Sequence, residues 1–177
     1  MFLNKAGTLK NIKYSEDSAG NVWNELNFVD SSKECYETLS NGYYGELTIN
    51  SKRILNNDID CTIRLEKQDQ FFGFLIDISE EDILKNHSKE EIEEVTNVLI
   101  SKIIEIYNYS KYSYAFCDQE AEISDFPLNF EKLRDNYSIL IIPDQSFKFN
   151  ILKSNWNIDG MTARVTSTEI ITNNVVR

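Results

Sequence analysis

Residues 88–108 constrain the fold more than any other segment, because their apolar side chains recur with the period of an α-helix. Ser88 followed three residues later by Glu91 is the capping-box pattern that begins a helix. An apolar face this broad needs a sheet to cover it. The apolar face comprises Ile92, Val95, Leu99, Ile100, Ile103, Ile104, Ile106 and Tyr107. The polar face comprises Glu90, Glu94, Asn97, Ser101, Glu105 and Asn108.

Strand-like segments flank this helix on both sides. Before it, residues 43–49, 59–65 and 71–78 are separated by polar turn residues, which predicts a meander. Residues 59–65 alternate between apolar and polar, which is typical of a strand with one face in water. Residues 71–78 are apolar on both faces, which predicts a central position in the sheet. After the helix, further strands are predicted at 112–121, 137–142, 147–152, 161–166 and 170–172.

Together these segments predict an α+β fold. We expect a mostly antiparallel twisted sheet, formed by the meander at 43–78 and the C-terminal strands, packed on one principal helix at 88–108. A chain of 177 residues with 41% hydrophobic residues suits a single domain spanning 1–177. The first 13 residues are too polar for a secretory signal, and no segment approaches the 18 or so apolar residues of a membrane span. A cytoplasmic location is the resulting expectation.

Catalytic motifs are missing from the sequence. The chain has one histidine, His87, in a loop-like position where capping or surface exposure is the simplest interpretation. The three cysteines, Cys35, Cys61 and Cys117, are widely spaced, which argues against a disulfide framework or a zinc site and favours buried free thiols. Neither a Gly-rich phosphate loop nor a GxSxG motif is present. We therefore expect no enzyme activity and no cofactor.

The most distinctive group of polar residues follows the helix. On a strand over 112–121, alternate carboxylates would project from one face about 7 Å apart. Three interpretations remain open: a site for a hard divalent cation, a solvated strand end, or a partner-binding surface in which aromatic side chains adjoin acids. The residues predicted for the partner-binding surface are Tyr112, Tyr114, Asp118, Glu120, Glu122 and Asp125.

The charge distribution favours a basic protein partner. The net charge is −11, and residues 80–122 contain eleven acidic side chains against four basic ones. Such a field opposes contact with nucleic acid phosphates or an anionic membrane surface, whereas it attracts a cationic protein. We therefore expect neither nucleic acid nor membrane as a partner.

The whole chain resembles the immunity proteins of bacterial polymorphic toxin systems. The resemblance lies in its length, its acidity, the missing catalytic motifs, the Asn-, Ile-, Lys- and Glu-rich composition typical of an AT-rich bacterial genome, and the run YAFCDQEAE at residues 114–122. It implies a small cytoplasmic α+β protein that binds its cognate toxin and occludes the toxin's active site or substrate path. The acidic charge favours a cationic toxin, such as a nuclease.

Three functions are therefore compared. The first is a non-catalytic, acidic, toxin-neutralising immunity protein, and we favour it. The second is a small metal-dependent enzyme or metal-binding protein that uses the carboxylates at 118–125. The third is a structural or assembly subunit, from a phage or a regulatory complex, that pairs through an exposed sheet edge.

Overall fold

A computed structural model describes residues 8–26, 37, 40–51, 58–68, 71–121, 133, 136–144, 148–161 and 169–174. The chain divides into two compact units, Met1–Ile83 and Leu84–Arg177. The first contains β1 (Thr8–Ser15), β2 (Asn24–Glu25), β3 (Tyr44–Ser51), β4 (Ile59–Gln68), β5 (Phe71–Ile78) and the short helix α1 (Glu80–Ile83). The second contains α2 (Lys89–Ser110), β6 (Ala115–Cys117), β7 (Ile139–Pro143), β8 (Lys148–Lys153) and β9 (Glu169–Asn174).

The first unit is built on an antiparallel sheet with strand order β2-β1-β3-β4-β5. Its strands β3, β4 and β5 are consecutive neighbours, so the predicted meander is confirmed. One face carries the core cluster Ile12, Leu47, Ile49, Cys61 and Ile63. The strict alternation of β4 places its polar residues on the opposite face, as the sequence predicts.

Ion pairs stabilise that polar face of the first sheet. Lys10 Nζ lies 2.6 Å from Asp60 Oδ2. Arg64 donates to both carboxylate oxygens of Asp77, from Nε at 2.6 Å and from Nη2 at 3.2 Å. All four side chains are about half exposed, so solvent screens both pairs and each adds little to stability.

The central position predicted for residues 71–78 is wrong. Among the described residues, β5 pairs only with β4 and forms the edge of the sheet. Phe72 is 69% exposed, although Phe74, Ile76 and Ile78 of the same face pack against the core cluster. Apolar residues on both faces indicate that the two faces of a strand are covered. They do not indicate whether the strand has a neighbour on one edge or on both.

The second unit contains the principal helix, which begins and ends close to its predicted bounds. Ser88 is the N-cap, and its hydroxyl accepts a hydrogen bond from Glu91 N at 3.2 Å. The Glu91 carboxylate accepts from the backbone N–H groups of Lys85 (2.9 Å) and Asn86 (2.8 Å), so it orders the loop before the helix. Lys111 ends the helix in a left-handed conformation, and its N–H donates to Tyr107 O at 3.1 Å.

The two faces of α2 follow the predicted pattern. Ile92, Val95 and Ile100 are buried, and the rest of the predicted apolar face is partly buried. Every residue assigned to the polar face is exposed. The apolar face packs on β8, where the rings of Tyr107 and Phe149 meet edge to face with centroids 5.2 Å apart.

The second sheet is antiparallel, with strand order β6-β7-β8-β9. Phe149 and Lys153 project from the face that meets α2, because Lys153 Nζ donates to Asn97 Oδ1 at 3.3 Å. Leu140 and Leu152 project from the other face into a cluster with Leu133 and Tyr137. Both faces of β7 are therefore covered, which explains why Ile139–Pro143 is a continuous apolar run.

The predicted α+β class, with antiparallel sheets and one main helix, is confirmed. The meander and the C-terminal strands belong to two separate sheets. Most of the strand predicted at 161–166 lies outside the described residues. No helix in the described parts of the chain is long and apolar enough to cross a lipid bilayer.

Candidate functional site

The acidic segment predicted as one strand face does not continue as a strand. Strand β6 ends at Cys117, Asp118 follows it, and Glu120 lies in a turn with a φ of 50°. Alternate residues therefore do not share a face beyond Cys117. Glu122 and Asp125 lie outside the described residues. The structure thus does not place the carboxylates of Asp118 and Glu120 in a row along one strand.

Asp118 accepts hydrogen bonds from residues far away in the sequence. Its Oδ2 accepts from Ser138 N at 3.0 Å and from Trp156 Nε1 at 3.2 Å, and its Oδ1 accepts from Gln119 N at 2.9 Å. The Ser138 hydroxyl in turn donates to Trp156 O at 2.9 Å. This carboxylate therefore joins the end of β6 to the start of β7 and to the loop after β8.

The two tyrosines of the predicted surface are held by packing within the second unit. The Tyr112 hydroxyl donates to Ile103 O at 3.1 Å, and its ring meets Tyr107 edge to face at 5.1 Å. The ring of Tyr114 stacks on Phe116 at 6.2 Å beside the core cluster that contains Tyr137. Burial raises the pKa of both tyrosine hydroxyls, so both are neutral at physiological pH.

The turn after Asp118 presents Glu120 to solvent. Gln119 packs against Gly160, where an added Cβ would lie only 1.6 Å from Gln119 Oε1. Gly160 has a φ of 65°, a conformation that favours glycine, and its N–H donates to Asn157 O at 3.2 Å. Glu120 is exposed beside this close contact. Of the predicted site residues that the structure describes, it is the most accessible acid.

The Cys117 thiol, next to this turn, is protonated at physiological pH. Burial and the neighbouring Asp118 carboxylate raise the pKa of Cys117 to about 12, and burial with Asp60 raises that of Cys61 to about 11. Both cysteines are free, as the sequence predicts. Protonated thiols of this kind are poor nucleophiles. Cys35 lies outside the described residues.

The exposed back of α2 forms a second acidic surface. A shallow groove there is lined by Glu90, Glu93, Glu94, Asn97, Val98 and Ser101. Lys153 Nζ donates to Asn97 in this groove, and Lys102 Nζ lies 3.2 Å from Glu105 Oε2 further along the helix. Glu90 and Glu91 lie in the first turn, where a negative charge favours the helix dipole. The acids of this surface therefore stabilise the start of the helix and also create a negative electrostatic potential.

Metal ligands do not gather in the parts of the chain that the structure describes. No three His, Cys, Asp or Glu side chains there lie close enough to hold an ion. His87 sits in the loop before α2 with a φ of 50°, and Glu91 beside it is engaged by backbone N–H groups. The metal-dependent alternative has no cluster among these residues to support it.

Most of the chain matches the model of a known protein family. The family model described as Immunity protein 64 matches residues 1–164. The chain belongs to this family. The resemblance to immunity proteins of polymorphic toxin systems is therefore confirmed, and it implies a cognate toxin as the partner of this immunity protein. No curated protein and no solved structure matches the chain.

The sequence did not reveal two features of the immunity protein. It did not foresee that Asp118 would hold Ser138 and Trp156 together, because those contacts are between residues 20 and 38 positions apart. It also did not identify β5 as an edge strand. Strand Phe71–Ile78 carries neither the Lys nor the Pro that often marks an edge strand, so its sequence contains no signal for the second feature.

Proposed function

We propose that this immunity protein neutralises its cognate toxin by binding it in the cytoplasm, without catalysing a reaction. The observation that carries the proposal is the family match over residues 1–164. Burial raises the pKa of the Cys61 and Cys117 thiols, which makes both poor nucleophiles and agrees with a binding role. The toxin is occluded at its active site or at the path its substrate takes.

The proposed partner is basic, such as a nuclease module. The net charge of −11 and the exposed acids along α2 attract a cationic surface and raise the rate of encounter. Side chains that bind nucleic acid phosphates are mostly Lys and Arg, so a nuclease presents such a surface around its active site. An acidic inhibitor that covers those side chains would block the substrate directly.

The proposed contact surface is the segment that contains Tyr112, Tyr114, Asp118 and Glu120, continued by Glu122 and Asp125. In this proposal the first three residues position the backbone through the contacts described above. Glu120, exposed at the turn, supplies charge to the partner. The groove on α2 adds a second negative region that steers the partner during approach.

Charge reversal with a matched control tests the proposal. The Glu120→Lys/Glu122→Lys variant and the control Glu16→Lys/Glu25→Lys change the net charge equally, and both control residues are exposed in the first unit. The probe is the purified toxin module encoded by the neighbouring gene, and stopped-flow fluorescence gives the association rate. We expect the first variant to associate about tenfold more slowly at low salt and the control to change much less.

The outcomes separate the parts of the proposal. Equal rates for the native chain and both variants would exclude electrostatic steering at this surface. Failure of the native chain to bind the toxin module, or to restore growth when the two are co-expressed, would overturn the inhibitory role itself. Neutralisation at far less than one immunity protein per toxin would contradict stoichiometric binding.

A further inference from the structure

The outer edge of β5 presents main-chain groups whose direction follows from the neighbouring strands. Lys67 N donates to Tyr43 O at 2.9 Å, so the N–H of Lys67 points toward β3. The register between β4 and β5 runs without a shift, with Lys67 opposite Phe72. In an antiparallel ladder, when the N–H and C=O groups of one residue point away from the neighbouring strand, those of the residue directly opposite it also point away from the shared ladder. The outward N–H and C=O groups of β5 therefore belong to Phe72, Phe74, Ile76 and Ile78.

Among the residues that the structure describes, this edge carries none of the features that usually protect a sheet from pairing with another chain. Protected edges carry Lys, Pro, a bulge or a covering segment. Strand Phe71–Ile78 contains neither Lys nor Pro, its register is unbroken, and its one charge, Asp77, is held by Arg64. Phe72 is 69% exposed at the end of the strand. The edge thus combines outward hydrogen-bonding groups with an exposed aromatic anchor.

Charges mark the two ends of the edge. Beyond the C-terminal end of β5, helix α1 begins with Glu80, Glu81 and Asp82. At the other end, exposed Lys67 lies opposite Phe72. An incoming antiparallel strand would place its N-terminal end beside the acids of α1. A basic residue at that end and apolar residues along the strand would match the edge.

We propose that the β5 edge binds an extended segment of the cognate toxin as an additional antiparallel strand, anchored on Phe72 with a basic residue beside α1. The inference rests on the proposed inhibitory function and adds the mode of binding. A second copy of this chain is the less favoured occupant, because two chains each carrying a net charge of −11 repel one another. Main-chain pairing would supply affinity, and Phe72 would fix the register.

A pair of substitutions at Phe72 isolates the main-chain contribution. Phe72→Pro removes one outward N–H and leaves the bonds to β4 intact, whereas Phe72→Val removes the ring and keeps that N–H. Both variants lose the aromatic ring, so the difference in their affinity for the partner measures the hydrogen bond donated by the N–H of residue 72. With the toxin module as probe, we expect the Pro variant to bind about tenfold more weakly than the Val variant. Equal affinities for both variants and the native chain would overturn the inference.

Hydrogen exchange of the native chain gives a test that needs no variant. The amides of Phe72, Phe74, Ile76 and Ile78 point outward, so they exchange faster in the free protein than those of Gly73, Leu75 and Asp77. Addition of the toxin module should slow exchange at Phe74 and Ile76 by about tenfold or more. Unchanged exchange at these two amides in a complex that still forms would overturn the edge-binding mode while leaving the inhibitory function standing.

Light scattering distinguishes the two occupants. A native chain that is monomeric alone and forms a one-to-one complex with the toxin module supports the proposal. A native chain that dimerises, with Phe72→Pro monomeric and toxin binding unaffected, would assign the edge to a second copy and overturn the proposal. Failure of the native chain to bind the toxin module at all would instead overturn the proposed function.

Discussion

At the scale of single residues, the carboxylate of Asp118 carries a role that its sequence context does not suggest. In the sequence it is one of several acids at alternate positions, and it reads as a solvated or partner-facing side chain. In the structure it accepts hydrogen bonds from Ser138 N and Trp156 Nε1. Asp118 therefore fixes the backbone from which Glu120 projects, and any effect of Asp118 on binding would include that positioning.

Asp118→Asn should lower the free energy of unfolding by about 2 kcal/mol, because the amide is uncharged and has one acceptor oxygen, so its NH2 group must face a backbone or indole N–H. Glu120→Gln is the matched control, since Glu120 is exposed and should change stability by less than about 0.5 kcal/mol. Urea unfolding followed by circular dichroism measures both. An Asp118→Asn variant as stable as the control would show that these hydrogen bonds contribute little.

At the scale of elements, local patterns predicted the helix and the meander because both depend on neighbouring residues. The cap at Ser88 and the apolar period of α2 are visible in the sequence, and β3 to β5 are consecutive hairpins. The division into two sheets and the edge position of β5 depend on pairings that no single segment encodes. The strand predicted at 112–121 ends early at Cys117, because Asp118 is held by residues distant in the chain.

The acidic start of α2 gives a pH-dependent prediction. Hydrogen bonds from the backbone N–H groups of Lys85 and Asn86 lower the pKa of Glu91 below its ordinary value of 4.5. A lowered pKa in the folded state adds stability above pH 4.5 that disappears as the pH falls through the folded value. Glu91→Gln should therefore lower the melting temperature at pH 7, and its difference from the native chain should shrink below pH 4.5.

The control for Glu91 is Glu94→Gln, which removes an equal charge from the exposed back of the same helix. Melting curves collected from pH 7 down to about pH 3 compare the three proteins over the range in which carboxylates titrate. If Glu91→Gln and Glu94→Gln showed the same pH dependence, general charge repulsion and not the hydrogen bonds of Glu91 would explain the effect.

At the scale of the whole molecule, the sequence predicts a single domain, and the structure shows two compact units with separate sheets. We propose that the units nevertheless unfold together as one cooperative domain. Calorimetry should then give one transition whose calorimetric and van't Hoff enthalpies agree. Two resolved transitions, or a limited digest that leaves one unit folded, would contradict the single-domain proposal.

The edge strand and the high negative charge have a joint consequence for the unbound protein. Like charge keeps copies apart in dilute buffer, and added salt shortens the range of that repulsion to about 3 Å at 1 M. The outer edge of β5, unpaired among the described residues, would then act as a template for fibrous precipitation. With the proposed electrostatic steering, colloidal stability and toxin capture would depend on salt in the same way: the protein would store best in the low-salt solutions in which it would also bind its proposed partner fastest.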